Sequence, residues 1–148
     1  MLYRLAEIEE ILANEPGLYL RYSDGFAADL EVGSVDTESG LRLPGLAARP
    51  LDPEPWWTRP AREWIARQVA VSGACGTEAC GTEDGRFGWL LRGVVAGRGA
   101  DGEPLIADVE VVGRLADCLI AEAAHLYGER FASGLSAREA ELVAVAHA

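Results

Sequence analysis

Residues 86–113, RFGWLLRGVVAGRGADGEPLIADVEVVG, decide the fold class of this chain. The two ends of the stretch, 86–97 and 104–113, are rich in valine, leucine, isoleucine and aromatic residues, which are typical of β-strands. The segment between them, GRGADGE, consists mainly of glycine and charged residues, which are typical of a turn. We therefore predict two strands that follow one another and are joined by this turn.

Helical periodicity flanks this pair of strands on both sides. Leucine and isoleucine recur at helical spacing near the N-terminus until Pro16-Gly17 closes the segment. Similar spacing follows the strands, and Ser136-x-x-Glu139 forms a capping box that predicts a last, short helix. The predicted helices cover about residues 2–14, 59–71, 114–131 and 136–147.

A further strand is predicted over residues 18–23, where apolar and other side chains alternate. Asp24-Gly25 is a strong turn signal, and Phe26 to Val32 is predicted to be the partner strand. The resulting order is helix, strands, helix, strands, helix, helix, which is typical of an α+β domain. We predict a single α+β domain over residues 1–148, with a mixed or mostly antiparallel sheet and three to four helices.

Residues 41–60, LRLPGLAARPLDPEPWWTRP, hold five of the seven prolines. Because proline cannot donate to a β-ladder, we predict an ordered extended crossing here rather than a central strand. Trp56 and Trp57 are adjacent in this segment, so their side chains should point to opposite sides. Two interpretations stay open: both anchor the crossing in the core, or one offers a stacking surface for a planar ligand.

Composition narrows the function classes. The chain has 148 residues and a formal net charge of −11, with 24 acidic residues against 13 basic ones, all of them arginine. This acidity argues against a nucleic-acid partner, because nucleic-acid binders usually carry a basic face. No apolar run approaches the roughly 20 residues of a membrane span, and no signal peptide opens the chain. We expect a cytoplasmic protein that does not insert in a membrane.

The three cysteines fit a reducing compartment. Cys75 and Cys80 lie in a Gly/Cys-rich loop, residues 72–86, and could be read as half of a zinc site. A tetrahedral site needs four ligands, and only Cys118, His125 and His147 remain as softer partners. A loop without metal is therefore the prediction.

Arg21 is the most unusual charge in the sequence, because it stands inside the apolar and aromatic run GLYLRYSDG, residues 17–25. It shares its strand face with Tyr19 and Ser23. A buried guanidinium must find acceptors or destabilise the fold. The carboxylates suggested by the motifs are Asp101 and Glu103. If these carboxylates meet Arg21 around a pocket, we expect a functional site. If they pair tightly with Arg21 and leave no cavity, we expect a structural ion pair.

Four motifs together resemble a family of small actinobacterial proteins of unknown function. They are LYLRYSDG, ESGLRLPGL, PLDPEPWWTRP and GRGADGEPLIADVEVVG, and the resemblance covers roughly residues 15–131. It implies a shared fold but no established activity.

A more distant resemblance is to ADP-ribosyltransferases of the Arg–Ser–Glu type. Arg21 on an early strand would match the arginine of that family, Ser34 in SVDTES would match its serine element, and Asp101-Gly-Glu103 would match its glutamate element. The resemblance implies that NAD is the substrate, that Arg21 holds the pyrophosphate and that Glu103 stabilises the oxocarbenium-like state.

The leading hypothesis is a small NAD-using transferase or glycohydrolase with Arg21, Ser34 and Glu103 as catalytic residues. The additional ligand-binding candidates are Tyr19, Trp56, Trp57, Arg98 and Asp101. The alternative is a non-catalytic module that binds a small ligand or a protein, such as an accessory protein of a bacterial biosynthetic or defence locus. Either a monomer or a homodimer is compatible with the sequence.

Overall fold

The structure is a computed structural model that describes residues 1–74 and 86–132. The helices are α1 (Leu5–Asn14), α2 (Phe26–Val32), α3 (Ala61–Val69) and α4 (Asp117–Tyr127). The strands are β1 (Tyr19–Ser23), β2 (Leu46–Ala47), β3 (Arg49–Pro50), β4 (Phe87–Arg98) and β5 (Pro104–Arg114). The described ranges therefore hold four α-helices, π-helical turns directly after α3 (Ala70–Ala74) and α4 (Gly128–Ala132), and one five-stranded sheet of order β2-β5-β4-β1-β3, whose strand pairs are all antiparallel. The predicted α+β class and mostly antiparallel sheet are confirmed.

The hairpin of β4 and β5 is the centre of the sheet, as its sequence predicted. The two strands pair from Arg98 and Pro104 at the turn to Trp89 and Arg114 at the far end. Their register shifts near Gly93, where the strands approach so closely that a Cβ atom would lie 2.4 Å from the carbonyl oxygen of Ala107. Only glycine fits this point without a shift of the neighbouring strand.

The proline-rich segment joins the two edges of the sheet. β2 pairs with β5 through Leu46 and Ile106, whereas β3 pairs with β1 through Arg49 and Leu20. The two short strands are separated only by Ala48, whose N–H donates to the carbonyl of Pro104 at 3.2 Å. The sheet therefore curves so that its two edge strands, β2 and β3, lie on one extended segment. The predicted crossing is confirmed, and it brings β1 close to the β4–β5 turn.

The two faces of the sheet carry separate hydrophobic clusters because side chains alternate along each strand. Leu20 and Leu90 face α1, α3 and α4, whereas Trp89 and Leu91 face the other side. On that second side, Phe26 of α2 contacts the ring of Trp89 edge-on at a centroid distance of 5.6 Å.

The predicted strand from Phe26 to Val32 is wrong, because this segment forms α2. Its inward side chains are Phe26 and Asp29, which are three residues apart and share one face of a helix. Gly25 starts the helix with φ 122°, and a Cβ there would lie 2.8 Å from the ring of Phe87. Gly33, with φ 78°, ends the helix.

Helix boundaries also differ from the predicted ranges. α3 covers Ala61–Val69 rather than residues 59–71, with Pro60 as its N-cap. α1 starts at Leu5 rather than at residue 2, because the N–H of Leu2 donates to the carbonyl of Arg114 at the end of β5. α4 starts at Asp117 rather than at residue 114, because β5 continues through Arg114. The predicted C-terminal helix over 136–147, and Cys75 and Cys80, lie outside the described residues.

Candidate functional site

Arg21 is held by a carboxylate that the sequence motifs did not indicate. Its Nε donates to Oδ2 of Asp29 at 2.7 Å, and its Nη1 donates to the carbonyl oxygen of Ala47 at 2.8 Å. The two charged side chains are 18% and 11% exposed. Neither Asp101 nor Glu103 is paired with Arg21 within the part of the chain that the structure describes. The guanidinium thus ties β1 to α2 and to the edge-joining segment.

Asp29 is fixed in turn by Ser23 and Trp89. The Ser23 hydroxyl donates a short hydrogen bond to Asp29 Oδ2 and accepts one from Trp89 Nε1 at 3.1 Å. The sequence prediction missed Asp29 because it read residues 26–32 as a strand. The signal for it in the sequence is the i, i+3 spacing of Phe26 and Asp29, which is too short a pattern to establish a helix by itself.

Two open pockets lie on either side of Arg21, and we call them together the groove. The first has a volume of about 590 Å³ and extends along residues 47–50 to Glu54 and Gln68. The second has a volume of about 810 Å³ and extends along residues 33–43. Both volumes lie in the range of small-molecule sites. The residues that line both pockets, which we call the waist of the groove, are Arg21, Ala47, Arg98, Asp101 and Glu103.

The predicted catalytic residues Arg21, Ser34 and Glu103 all line the second pocket. The Ser34 hydroxyl oxygen is buried and has no hydrogen-bond partner among the described residues. Such an unsatisfied buried hydroxyl is uncommon in folded proteins. Ser34 was singled out by the sequence, and its environment keeps it a candidate for ligand contact.

Glu103 also has a role inside the β4–β5 turn. Its Oε2 accepts the N–H of Asp101 at 3.1 Å, and its side chain lies so close to Gly99 that a Cβ there would be 1.8 Å from Oε1. The neighbouring Arg98 is exposed and donates from Nη1 to the carbonyl of Gly102 at 3.3 Å. The turn therefore presents Arg98, Asp101 and Glu103 together to the groove.

The turn that borders the second pocket contains Asp36 and Ser39. Ser39 donates to Asp36 Oδ2 from both its hydroxyl and its backbone N–H. These hydrogen bonds, that of the hydroxyl first, lower the pKa of Asp36 below its ordinary value. These hydrogen bonds therefore extend the pH range in which Asp36, at the pocket wall, is ionised towards lower pH.

Trp56, Trp57 and Tyr19 do not line either pocket of the groove. Trp56 is 65% exposed and touches the edge of Trp64, at a centroid distance of 5.8 Å. Trp57 stacks on Phe131 at 6.0 Å, and Tyr19 packs against the cluster around Trp89. The aromatic surface and the groove are therefore separate features.

Residues 1–74 and 86–132 were compared with the requirements of a metal site and of a membrane-spanning helix. Within these ranges no group of three or more His, Cys, Asp or Glu side chains is placed to hold a metal ion. Cys118 is an exposed free thiol there. None of the helices described has the length and apolar character that crossing a bilayer requires.

The fold and the groove together define a small α+β protein that presents charged side chains of both signs beside the turn of its central hairpin. The chain belongs to a family of unknown function, DUF6098, whose sequence pattern matches residues 1–139. This agrees with the prediction of a family of unknown function. No curated protein and no solved structure shows a significant match to the chain.

Proposed function

We propose that the protein binds a small molecule through an anionic group, in the groove around Arg21. The observation that carries this proposal is the fixed position of the guanidinium. Asp29 and Ala47 hold Nε and Nη1, and within the described residues Nη2 makes no hydrogen bond. An arginine that is already ordered loses little further entropy when it binds a carboxylate or phosphate, so it recognises such groups well.

Two more arginines support an anion-binding role. Arg49 and Arg98 are exposed and line the first pocket with Arg21. The Arg49 side chain has no hydrogen-bond or ion-pair partner among the residues described, although its backbone pairs with β1. Because the chain as a whole carries a formal charge of −11, a pocket lined by as many arginines as carboxylates is less acidic than the rest of the chain.

The experiment is a calorimetric titration of the purified protein with acetate, inorganic phosphate and serine, preceded by a thermal-shift screen. Arg98→Ala and Arg49→Ala should each weaken binding of an anion-bearing ligand by about three- to tenfold. Arg4→Ala, at an exposed arginine outside the groove, should leave the affinity unchanged. If none of these probes binds, or if Arg4→Ala has the same effect as Arg98→Ala, the proposal fails.

A second candidate function is the NAD-using transferase or glycohydrolase. The observation in its favour is that Arg21, Ser34 and Glu103 line the same pocket. In this mechanism the Arg21 guanidinium contacts the pyrophosphate, and the Glu103 carboxylate stabilises the positive charge that develops on the ribose as nicotinamide leaves.

Nicotinamide release from NAD tests this candidate directly. Release should be lost in Glu103→Gln while the melting temperature is kept, and Glu110→Gln, an exposed glutamate on β5, should remain active. If wild-type protein neither consumes NAD nor is stabilised by it, the transferase candidate is eliminated.

The exposed Trp56 ring supports protein binding as a further alternative, including self-association as a homodimer. Light scattering of wild type and Trp56→Ala distinguishes monomer from dimer, and a dimer formed through this ring should dissociate in the variant. For the whole chain, a cytoplasmic location remains our proposal, based on its acidity and its three cysteines.

A further inference from the structure

We infer that the ligand of the groove is a small zwitterion of the amino-acid type, with an ammonium group as well as an anionic group. This inference rests on the proposed function, because it assumes that an anionic group binds at Arg21. It adds the second charge, which the proposed function leaves open. The observation that carries it is the composition of the waist, where two arginines and two carboxylates line both pockets.

The charges of the groove are close to balanced. In the first pocket, three arginines face three carboxylates, with Arg49 and Glu54 as the charged side chains beyond the waist. The second pocket adds one arginine, Arg42, and two carboxylates, Asp36 and Glu38. A ligand that is only anionic would be repelled by these carboxylates, whereas a zwitterion matches both signs.

A carboxylate of the β4–β5 turn is available to bind an ammonium group of the ligand. Arg42 lines only the second pocket, and its Nη2 donates to the carbonyl of Val32. The Asp101 carboxylate is exposed and makes no hydrogen bond within the described part of the chain. An ammonium group has three donors and no acceptor, so a carboxylate is its natural partner. We therefore place the ligand's anionic group at Arg21 and Arg98, and its ammonium group at Asp101 and Glu103.

The second pocket indicates a polar ligand side chain. Its wall between Gly33 and Arg42 includes two serines, one threonine and the carboxylates Asp36 and Glu38, beside the apolar side chains of Val35 and Leu41. An apolar ligand side chain at this wall would have to desolvate these two carboxylates. A hydroxyl or amide on the ligand would instead find hydrogen-bond partners.

The test uses three molecules that differ by one charge each: serine, 3-hydroxypropanoate, which lacks the ammonium group, and ethanolamine, which lacks the carboxylate. Calorimetric or NMR titration of the full chain should show serine binding about tenfold more tightly than either analogue. Leucine should bind more weakly than serine. Inorganic phosphate and NAD, which carry no ammonium group, should bind more weakly than serine as well.

A variant that neutralises one carboxylate tests separately its attraction for the ammonium group and its repulsion of the anionic group. Asp101→Asn should weaken serine binding by about three- to fivefold and strengthen 3-hydroxypropanoate binding, because the same carboxylate attracts the ammonium group and repels the anion. The Asp101 side chain is exposed, so the fold should survive. The control is Glu10→Gln on α1, an exposed carboxylate outside the groove, which should change neither affinity.

The outcomes distinguish this inference from the proposed function. If 3-hydroxypropanoate or phosphate binds as tightly as serine, the zwitterion inference is overturned while anion binding at Arg21 stands. If ethanolamine binds and no anion does, the proposed function itself is overturned. If none of the probes binds, both are rejected.

Discussion

Arg21 and Asp29 form an ion pair that joins the sheet to α2, with 2.7 Å between Nε and Oδ2. Both side chains are mostly buried, and each is held by a further partner, Ala47 for the arginine and Ser23 for the aspartate. The pair is therefore a structural element and, at the same time, the reason why the guanidinium has one orientation beside the groove.

Removal of one partner of this ion pair should lower the free energy of unfolding. Asp29→Ala leaves a largely buried guanidinium without its carboxylate, and we expect a loss of about 3 kcal/mol in the free energy of unfolding. Urea denaturation followed by circular dichroism measures it. Asp24→Ala, at the exposed aspartate of the preceding turn, should lose less than about 0.5 kcal/mol. Equal losses at the two positions would contradict the assigned role of Asp29.

Ser23 should link the ion pair to the Trp89 indole. Ser23→Ala removes the acceptor of Trp89 Nε1–H and a donor to Asp29, so we expect a loss of about 1–3 kcal/mol and a change in tryptophan fluorescence. Trp89→Phe should remove the fluorescence change in the double variant. An unchanged spectrum in Ser23→Ala would show that this hydrogen bond does not form in solution.

Gly93 should not tolerate a side chain. In Gly93→Ala the new methyl group would lie 2.4 Å from Ala107 O and 2.5 Å from Ile106 Cγ2, and the strands would have to separate at about 1–3 kcal/mol. Gly113→Ala is the matched control, because its Cβ would meet Leu2 at an ordinary 3.5 Å. Thermal unfolding of both variants checks the prediction, which fails if Gly113→Ala is the less stable of the two.

Asp36 should titrate below the ordinary range of a carboxyl group because Ser39 donates to it. A lowered folded-state pKa stabilises the fold above the unfolded-state value of roughly 3.9, and this contribution is lost as the pH falls through the folded-state pKa. Ser39→Ala should raise the pKa of Asp36, as followed by carbon-detected NMR, and should flatten the pH dependence of stability below about pH 4. Thr37→Val, on the same turn, should leave that pKa where it is.

Truncation of Trp56 and of Trp64 should destabilise the fold to very different extents. Trp64 is 4% exposed, so Trp64→Ala should cost about 3–5 kcal/mol, whereas Trp56→Ala at a 65% exposed ring should cost less than about 1 kcal/mol. Chemical denaturation of both variants provides the comparison. A large loss in Trp56→Ala would mean that its ring is covered in solution, and light scattering would then show whether a second copy covers it.

Much of the fold could be predicted because periodicity and turn chemistry agree with the final packing. Residues 86–113 carry both strands and their turn, and the prolines of residues 41–60 correctly excluded a central strand. The prediction of a strand over Phe26–Val32 was wrong because the two inward residues of this helix are too few to produce a clear helical period, and one of them, Asp29, is charged.

The site could be predicted only in part. The residues Arg21, Ser34 and Glu103 were chosen from the sequence, and they line one pocket. The ion partner Asp29 was not chosen, because the contact depends on how α2 folds back over β1. The position of Arg49 on the first pocket could not be predicted either, since it depends on which edge of the sheet β3 joins. Such contacts between distant residues arise from topology, which local patterns do not encode.

The meeting of the two sheet edges at Ala48 has a consequence for the order of folding. Residues 46–50 cannot complete their pairing until β1 and β5 are both in place, so we expect this segment to dock late and to open first under native conditions. The amide proton of Ala48 is hydrogen-bonded to the carbonyl of Pro104, and that of Leu51 to the carbonyl of Leu18. Both should then exchange faster than the amide protons at the centre of the hairpin. Opening would also withdraw the Ala47 carbonyl from Arg21, and a ligand in the groove should therefore slow exchange at these two amides.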